Sequence, residues 1–410
     1  MADSGSSRSN AVTLAVWAAS VAQLLAYTFS ASAWQTTHGF ISYYGAARLL
    51  VEGRLGPDAY NDAWFGQYVQ AITGTGVREI FIPNAPMMAL MATPLAWLAP
   101  ATARPLWLLA SLAAAAATAL ALGRYRHQVE AKWPAVVMAV ILLNPAMFAN
   151  LRTGQGYLFV FALLGGAGLM LIRGHDRSAG VLAGLAFAVK SAGLPLLLLA
   201  AVIGRRRVMT AAAATIAVVI AITAVFVEPS IWARYPGAVS EFVARPAGSV
   251  TAYQTTLGLF RRLCVADATW NPEPAMPCEP IAFAAPMILL AAATLFTLYL
   301  ARRSAPPLWV AAGLCLSELT LPIAEEPHFM LFAAAVALVP LGARPLAIFT
   351  ALYVVPLSWT AEAYTTGWTI LAAYPRLYAA WLLWAMAIRA MLRDQPAAGA
   401  RVAPNAASAR

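Results

Sequence analysis

The chain has 410 residues, of which 61% are hydrophobic and 11% are charged, and its formal net charge is +10. Soluble domains carry about 25% charged residues, and a soluble chain of this length could not bury so much apolar surface in its cores. The composition therefore excludes a soluble globular protein and indicates that lipid is the solvent for much of the chain.

The positive charge is concentrated in short clusters between apolar runs, and not in a basic stripe of the kind that binds nucleic acid. The clusters are Arg124/Arg126/Lys132, Arg173/Arg177, Arg205 to Arg207, Arg302/Arg303, Arg344 and Arg389/Arg393. Cytoplasmic loops of membrane proteins carry such an excess of Lys and Arg. We therefore predict no nucleic acid partner, membrane lipids beside the basic surface, and both termini in the cytoplasm.

Ten apolar runs are predicted to cross a bacterial-type inner membrane as α-helices. They are residues 11–34, 105–122, 133–149, 158–173, 208–227, 280–301, 306–323, 328–343, 345–362 and 369–393. Several have about 16–18 residues, near the lower limit for a hydrocarbon core of about 30 Å. The first run lacks a convincing cleavage site, so we expect it to remain as an anchor. The exoplasmic side then receives segments 35–104 and 228–279 and the turns at 150–157 and 324–328.

Two apolar stretches do not fit a simple count of spans. Residues 178–203 lie between basic clusters that both belong in the cytoplasm, and Lys190 is at the midpoint, ahead of Gly193 and Pro195. We predict two half-helices that enter and leave from one side, with Lys190 near the tip. Residues 81–100 carry four prolines, and we predict an exoplasmic or re-entrant segment there.

The exoplasmic segment 35–104 begins with helical periodicity. Residues 39–53 place Phe40, Tyr43 and Tyr44 at helical spacing, which favours a helix lying in the membrane interface. A second helix is predicted over residues 64–72. These helices either pack on the outer face or form a platform that lines an active site facing the lipid.

Cys264 and Cys278 lie fourteen positions apart in the exoplasmic segment 228–279. An oxidising compartment permits a disulfide between them, and two free thiols are the alternative. No histidine accompanies them, so we predict no zinc site, and no metal elsewhere.

Ionisable groups near a membrane are costly, and each is therefore a functional candidate. Lys190 could extend to the membrane surface or hold a phosphate. Glu325 and His328 could form a solvated cap or include a general base. Arg152 and Gln155 are polar groups in a very short outer loop, and its glycines do not explain them.

The order of several motifs resembles glycosyltransferase family 87, a branch of the C superfamily of membrane glycosyltransferases. The matching pieces are FISYYGAARLLVEG with Tyr60, IPNAPMMALMATPLAWL, NLRTGQGYLFVFALL, GVLAGLAFAVKSAGLPLLLLA, YQTTLGLFRRL and His328. The resemblance implies an all-α polytopic bundle with exoplasmic interfacial helices. We expect a single domain over residues 1–395 and a disordered cytoplasmic tail over residues 396–410.

The resemblance also implies inverting transfer of a hexose, with mannose favoured, from a polyprenyl-phosphate sugar to a lipid or glycan acceptor. It requires no metal and no other cofactor. Lys190, Arg152, Gln155 and His328 would bind the donor and its phosphate. A transporter or flippase of lipid-linked sugars and a non-catalytic lipid–sugar-binding relative are the alternatives.

One position departs from the family pattern. An Asp just before the Phe of the first motif is the family's expected base, whereas His38 and Gly39 stand here. The candidates for the base are therefore Asp58, Asp62, His38 and Glu325. Asp58 is the first choice because its Gly-Pro-Asp context lies in the first outer segment.

Overall fold

A computed structural model of the chain describes residue 18 and residues 21–129 and 142–394. These residues form α-helices and short 3-10 helices, so the predicted all-α class is confirmed. Residues 11–17, 19 and 20 of the predicted first span and residues 133–141 of the predicted span at 133–149 lie outside the described residues. The expected tail at residues 396–410 lies outside them as well.

The longer α-helices of the described residues are numbered here in chain order. They are α1 (Phe40–Val51), α2 (Asp62–Thr73), α3 (Pro100–Val129), α4 (Pro145–Thr153), α5 (Tyr157–Ile172), α6 (Asp176–Lys190), α7 (Leu194–Ile203), α8 (Arg206–Phe226), α9 (Ser230–Ala244), α10 (Thr256–Cys264), α11 (Glu279–Ala301), α12 (Pro306–Leu319), α13 (Leu331–Leu338), α14 (Ala343–Val354) and α15 (Pro375–Asp394).

Among the described residues, three helices are long and apolar enough to cross a membrane. They are Pro100–Arg126 within α3, α8 and α11, and a fourth candidate joins Gly367–Ala373 to α15 with a bend of 58°. The predicted spans at 306–323, 328–343 and 345–362 are shorter, because α12, α13 and α14 each end two or three residues before a proline. Among the described residues, fewer helices reach the length of a straight span than the ten predicted runs would require.

Helices α6 and α7 form the helical hairpin predicted over residues 178–203. The chain breaks at Ser191 and Gly193, which both adopt the left-handed conformation. Arg205, just after α7, donates from Nη1 to Oδ1 of Asp176 at the start of α6, at 3.1 Å. The two half-helices therefore enter and leave at the same end, and Lys190 lies at the tip, as predicted.

Helix α8 packs closely along α6 because small residues face it. A Cβ atom at Gly180 would lie 2.3 Å from the carbonyl oxygen of Val208, and one at Gly184 would lie 2.8 Å from that of Ala212. Small residues at this spacing allow helix backbones to approach closely in membrane proteins. This close packing fixes the hairpin along α8, which is long enough to cross the membrane.

Helix α1 is buried in a second apolar core of the protein. Phe40, Tyr43 and Tyr44 are each at most 2% exposed. The core closes around them because α2 and the segment 81–98 pack over α1, and α9 adds Ile231 and Ala238 to the same core. Helix α1 therefore packs inside the protein and not on its surface, and the helix expected at 64–72 is present within α2.

The proline-rich segment 81–100 does not cross the membrane as one helix. It forms two 3-10 helices, Pro86–Met91 and Thr93–Leu95, which pack against α1. Tyr44 donates its hydroxyl to the carbonyl oxygen of Leu98 at 2.7 Å, which ties the segment to α1. The prediction of a segment that does not span in one piece is therefore confirmed.

The loop after α10 is closed by a disulfide between Cys264 and Cys278. Arg262, on the same helix, is buried and donates to the carbonyl oxygens of Trp270 and Thr365. The disulfide and the arginine together hold this loop against the segment that leads to α15.

We expect replacement of both Cys264 and Cys278 by Ser to lower the free energy of unfolding by about 3 kcal/mol, since the cross-link closes a loop of fourteen residues. Thermal unfolding in detergent, with and without a thiol reductant, measures this. The wild type should respond to reductant and the double variant should not. Free thiols at both positions in non-reducing peptide maps would contradict the linkage.

A bulky side chain at the contact between α6 and α8 should destabilise the fold. Gly184→Leu is expected to cost about 1–3 kcal/mol or more, because the added atoms meet the backbone of α8. Gly76→Leu is the control, since a Cβ there has no neighbour within 4 Å. Equal melting temperatures for the two variants in detergent would refute the close packing.

Candidate active site

A cavity of about 600 Å³ lies where the two apolar cores meet, and it is called the charged cavity below. Its walls come from the start of α1, the segment 79–84, the loop between α4 and α5, the tip of the hairpin, residues 250–253, the turn 323–328 and residues 357–362. Most of these segments lie within the regions that the sequence analysis predicted to be exoplasmic. The structure brings them together at one end of the helical bundle.

Six of the eight predicted site residues line the charged cavity. They are His38, Arg152, Gln155, Lys190, Glu325 and His328. Apart from the pairs Arg152/Gln155 and Glu325/His328, these residues are far apart along the chain, so only the fold brings them together.

The other two predicted residues, Asp58 and Asp62, lie in a separate shallow depression with Arg234 and Arg245. An oxygen of Asp62 is 2.7 Å from Nη1 of Arg245, which holds this carboxylate on the outer surface. The expectation that Asp58 or Asp62 acts as the base does not fit this placement. The flexible Gly-Pro-Asp context becomes a 3-10 turn, Pro57–Tyr60, that faces away from the cavity.

Lys190 is held at the hairpin tip by one amide and two aromatic rings. Its Nζ donates to Oδ1 of Asn84 at 2.9 Å. The same atom lies 5.1 Å from the ring centre of Tyr43 and 4.9 Å from that of Tyr157. These contacts stabilise an ammonium group and leave it with further hydrogen-bond donors for an anion.

The loop that carries Gln155 is fixed by hydrogen bonds from buried side chains. The hydroxyl of Tyr43 donates to Oε1 of Gln155 at 2.9 Å and accepts from the amide of Gly156 at 3.0 Å. Trp107 donates to the carbonyl oxygen of Gly154, and the buried Arg104 donates to that of Leu151. Because its acceptor is used by Tyr43, Gln155 presents its amide N–H groups as free donors for a ligand.

The turn before α13 orients His328. The backbone N–H of Glu325 donates to Nδ1 of His328 at 3.2 Å, and the backbone N–H of His328 donates to the carboxylate of Glu325. An imidazole that accepts at Nδ1 carries its proton on Nε2 when it is neutral. The ring centre of His328 lies 4.0 Å from that of Tyr157, which fixes the ring plane beside Lys190.

The neighbouring carboxylate, Glu326, is tied to a fully buried arginine. Arg376 contacts both oxygens of Glu326, at 2.8 and 3.1 Å, and also donates to the carbonyl oxygens of Leu352 and Val355. This network anchors the turn to the ends of α14 and α15. Both Glu325 and Glu326 line the cavity, and of the two only Glu326 is paired with Arg376.

Glu325 lines the charged cavity, where part of its surface stays exposed and its carboxyl is desolvated by the cavity walls. This desolvation raises the pKa of its carboxyl, the charge of Glu79 raises the pKa further, and Lys190 lowers it. Glu325 therefore lies within electrostatic reach of both Glu79 and Lys190.

Glu79 is a cavity residue that sequence reasoning missed. Its Oε2 accepts from the amide of Gly39 at 2.6 Å, and its Oε1 accepts from the amide of Ile80 at 3.0 Å. Nδ1 of His38 is 3.7 Å from Oε2. One feature of the sequence could have indicated Glu79. It is the only acidic residue between Asp62 and Glu130, and it directly precedes the proline-rich segment.

A second cavity of about 430 Å³ adjoins the first and is called the apolar cavity below. The two cavities meet at the hairpin tip, because they share the lining residues Pro83, Asn84, Tyr157, Lys190, Phe242, Ile323 and His328. The side chains lining only the apolar cavity are aliphatic, aromatic or hydroxyl-bearing. They include Leu194, Pro195, Leu198, Tyr235, Val239, Thr294 and Leu321.

Within the described residues, no group of three or more His, Cys, Asp or Glu side chains is arranged to hold a metal ion. The charges of the site are instead supplied by protein side chains, with Lys190 and Arg152 as its cations. The arrangement can bind an anion at Lys190, donate hydrogen bonds from Gln155 and His328, and accept a proton at a carboxylate.

The model of glycosyltransferase family 87 matches residues 81–322, which is more than half of the chain. The matched region contains Arg152, Gln155 and Lys190 and ends just before Glu325. No curated protein and no solved structure matches the chain.

We expect Arg376→Met to lower the free energy of unfolding by about 3–5 kcal/mol, since it leaves the carboxylate of Glu326 and two carbonyl oxygens without their donor. Arg234→Met is the matched control, because its ion pair with Glu241 is exposed to solvent and adds little to stability. Thermal unfolding in detergent compares the two. A similar fall in melting temperature in both variants would show that the buried pair of Arg376 and Glu326 stabilises the fold no more than the exposed pair does.

Proposed function

We propose that this chain, which belongs to glycosyltransferase family 87, transfers a hexose from a polyprenyl-phosphate sugar to a hydroxyl group of a lipid or glycan acceptor. Membership in the family makes the chain a membrane glycosyltransferase with a sugar donor and an acceptor. The polyprenyl-phosphate donor, the preference for mannose and the exoplasmic location of the reaction are our proposal.

The observation that carries the proposal is the meeting of two unlike cavities at Lys190. A polyprenyl-phosphate sugar has an apolar tail, an anionic phosphate and a polar sugar in that order. The apolar cavity, the Lys190 ammonium and the charged cavity follow the same order. This match supports a lipid-linked donor over a nucleotide-linked one, whose two ends are both polar.

The apolar cavity adjoins side chains that face outwards from the helical bundle. Leu194 is 46% exposed and Leu198 is 42% exposed, and both line this cavity at the first turns of α7. Exposed apolar side chains on a membrane protein face lipid tails. A polyprenyl chain can therefore enter from the bilayer beside α7 with its phosphate directed at Lys190.

The charged cavity supplies the groups that the transfer requires. The acceptor oxygen attacks the anomeric carbon, the bond from that carbon to the phosphate oxygen breaks, and its electron pair leaves with the lipid phosphate. Lys190, Arg152 and the Nε2–H of His328 are placed to stabilise the charge that develops on the phosphate. The acceptor proton passes to a carboxylate of the cavity, and this scheme requires no metal or nucleotide.

The charge distribution along the hairpin supports an exoplasmic site in a cell inner membrane. The contact between Asp176 and Arg205 marks the end of the hairpin opposite to Lys190. The basic clusters at Arg173/Arg177 and at Arg205 to Arg207 lie at that end, and such clusters favour the cytoplasm. The cavity at the other end then opens on the exoplasmic side.

A non-catalytic lipid–sugar-binding protein is the second candidate, because Gly39 stands where the family pattern has a carboxylate. The same cavities would bind the donor without transferring its sugar. Glu79, whose Oε2 accepts from the amide of Gly39, favours a catalytic protein instead. A transporter of lipid-linked sugars is less well supported, because the charged groups gather at one end of the bundle.

A transfer assay tests the proposal. Membranes that contain the protein are given radiolabelled polyprenyl-phosphate mannose, polyprenyl-phosphate glucose or the matching nucleotide sugars, with short-chain alkyl mannosides as acceptors. We expect label in the acceptor from polyprenyl-phosphate mannose and little from the nucleotide sugars. Donor binding without transfer would favour the non-catalytic candidate, and transfer from a nucleotide sugar alone would overturn the proposal.

Lys190→Met should reduce transfer by about 10²–10³-fold, because methionine keeps the apolar stem and removes the charge beside the leaving phosphate. Arg302→Met is the control, since Arg302 is an exposed cation that follows α11 and does not line either cavity. Both variants should insert and fold as the wild type does. Full transfer activity in Lys190→Met would remove Lys190 from the donor site.

A further inference from the structure

Starting from the proposed transfer reaction, we propose that Glu79 is the base that takes the proton from the acceptor hydroxyl. The inference comes from the different contacts of the four carboxylates that line the charged cavity. They are Glu79, Glu325, Glu326 and Glu362.

Glu326 and Glu362 are poorly placed for this role. Both oxygens of Glu326 contact the guanidinium of Arg376, and a proton on that carboxylate would break the ion pair. Glu362 is exposed at the rim of the cavity, where bulk water competes for the acceptor proton.

Glu325 is closer to the site but is already engaged in the turn. Its carboxylate accepts from the backbone N–H of His328 and caps the short helix that carries that histidine. Desolvation and the charge of Glu79 raise the pKa of the Glu325 carboxyl, and Lys190 lowers it.

The carboxylate of Glu79 is held in one orientation at the cavity wall. The amides of Gly39 and Ile80 each donate to a different oxygen of this carboxylate. Each carboxylate oxygen has a second lone pair that these bonds leave free. The side chain is 18% exposed, and Glu79 lines the cavity that contains Lys190.

The backbone at Gly39 explains why the carboxylate comes from the neighbouring segment. Gly39 has a φ of +85°, and a Cβ atom there would lie 2.8 Å from the carbonyl oxygen of Thr153 and 3.0 Å from Nε2 of Gln155. A side chain at this position would be strained and would displace the Gln155 loop. The bare backbone of Gly39 instead offers its N–H to Glu79.

In the step that follows, the acceptor oxygen forms its bond to the anomeric carbon while its proton passes to a carboxylate oxygen of Glu79. The carbon–oxygen bond to the lipid phosphate breaks, and the phosphate takes the electron pair. The protonated Glu79 then loses its proton to water through the open cavity. The imidazole of His38, 3.7 Å from Oε2, lies on this route.

The test separates proton removal from positioning by changing the nucleophile. Azide is an anion and attacks the anomeric carbon without losing a proton, so its reaction needs no base. Purified wild type, Glu79→Gln, Glu79→Asp and Glu362→Gln are each assayed with the radiolabelled lipid-linked donor, first with an alkyl mannoside and then with sodium azide. Melting temperatures in detergent check that each variant is folded.

We expect Glu79→Gln to lose about 10²–10⁴-fold in transfer to the alkyl mannoside while its rate of glycosyl azide formation stays within a few-fold of the wild type. Glu79→Asp should recover part of the lost rate, and Glu362→Gln should match the wild type in both reactions. This pattern would support Glu79 as the base, and its loss of rate should appear in kcat more than in KM for the mannoside.

Three other results would overturn the inference. Wild-type mannoside transfer by both Glu79 variants would place the base elsewhere. Equal loss of both reactions in folded Glu79→Gln would make Glu79 a positioning residue. A wild type that forms neither product from any lipid-linked donor would refute the proposed function itself. This outcome is distinguishable from failure of the Glu79 inference, because it appears in the wild type alone.

Discussion

The position of Lys190 is the constraint on which the arrangement of the site depends. An ammonium group at the tip of an apolar helical hairpin is costly unless partners surround it. Asn84 and the rings of Tyr43 and Tyr157 are those partners, and they come from three different parts of the chain. The contacts that stabilise the Lys190 ammonium therefore join α1, the segment 79–84 and α5 at the hairpin tip. The two cavities lie on either side of this tip.

Buried arginines fix the loops that carry the remaining site residues. Arg104 donates to carbonyl oxygens at the end of α4, Arg262 to those of the disulfide loop and of Thr365, and Arg376 to those after α14. Irregular backbone is tolerated near a membrane only where its polar groups are satisfied. A guanidinium has five N–H donors in a fixed plane, so one side chain can satisfy several carbonyl groups at once. The result is a set of rigid loops around a cavity that contains few cations.

The sequence by itself determined the features that depend on local chemistry. Composition and the basic clusters predicted an all-α membrane protein, and the Lys190–Gly193–Pro195 pattern predicted the helical hairpin. Helix α2 was also expected, and the disulfide between Cys264 and Cys278 was one of the two alternatives that the sequence allowed. Each of these features follows from residues close together in the chain, where hydrophobic pattern, helix breakers or spacing limit the possibilities.

Only the tertiary structure decided which charges share a site. Glu79 reaches the cavity because it accepts from the amide of Gly39, forty positions earlier, and Asp62 is kept from it by Arg245, 183 positions later. The tertiary structure also buried α1, which its own amphipathic pattern had assigned to the membrane interface. Local pattern could not settle these outcomes, because the energy of a carboxylate or an apolar face depends on partners that distant segments supply.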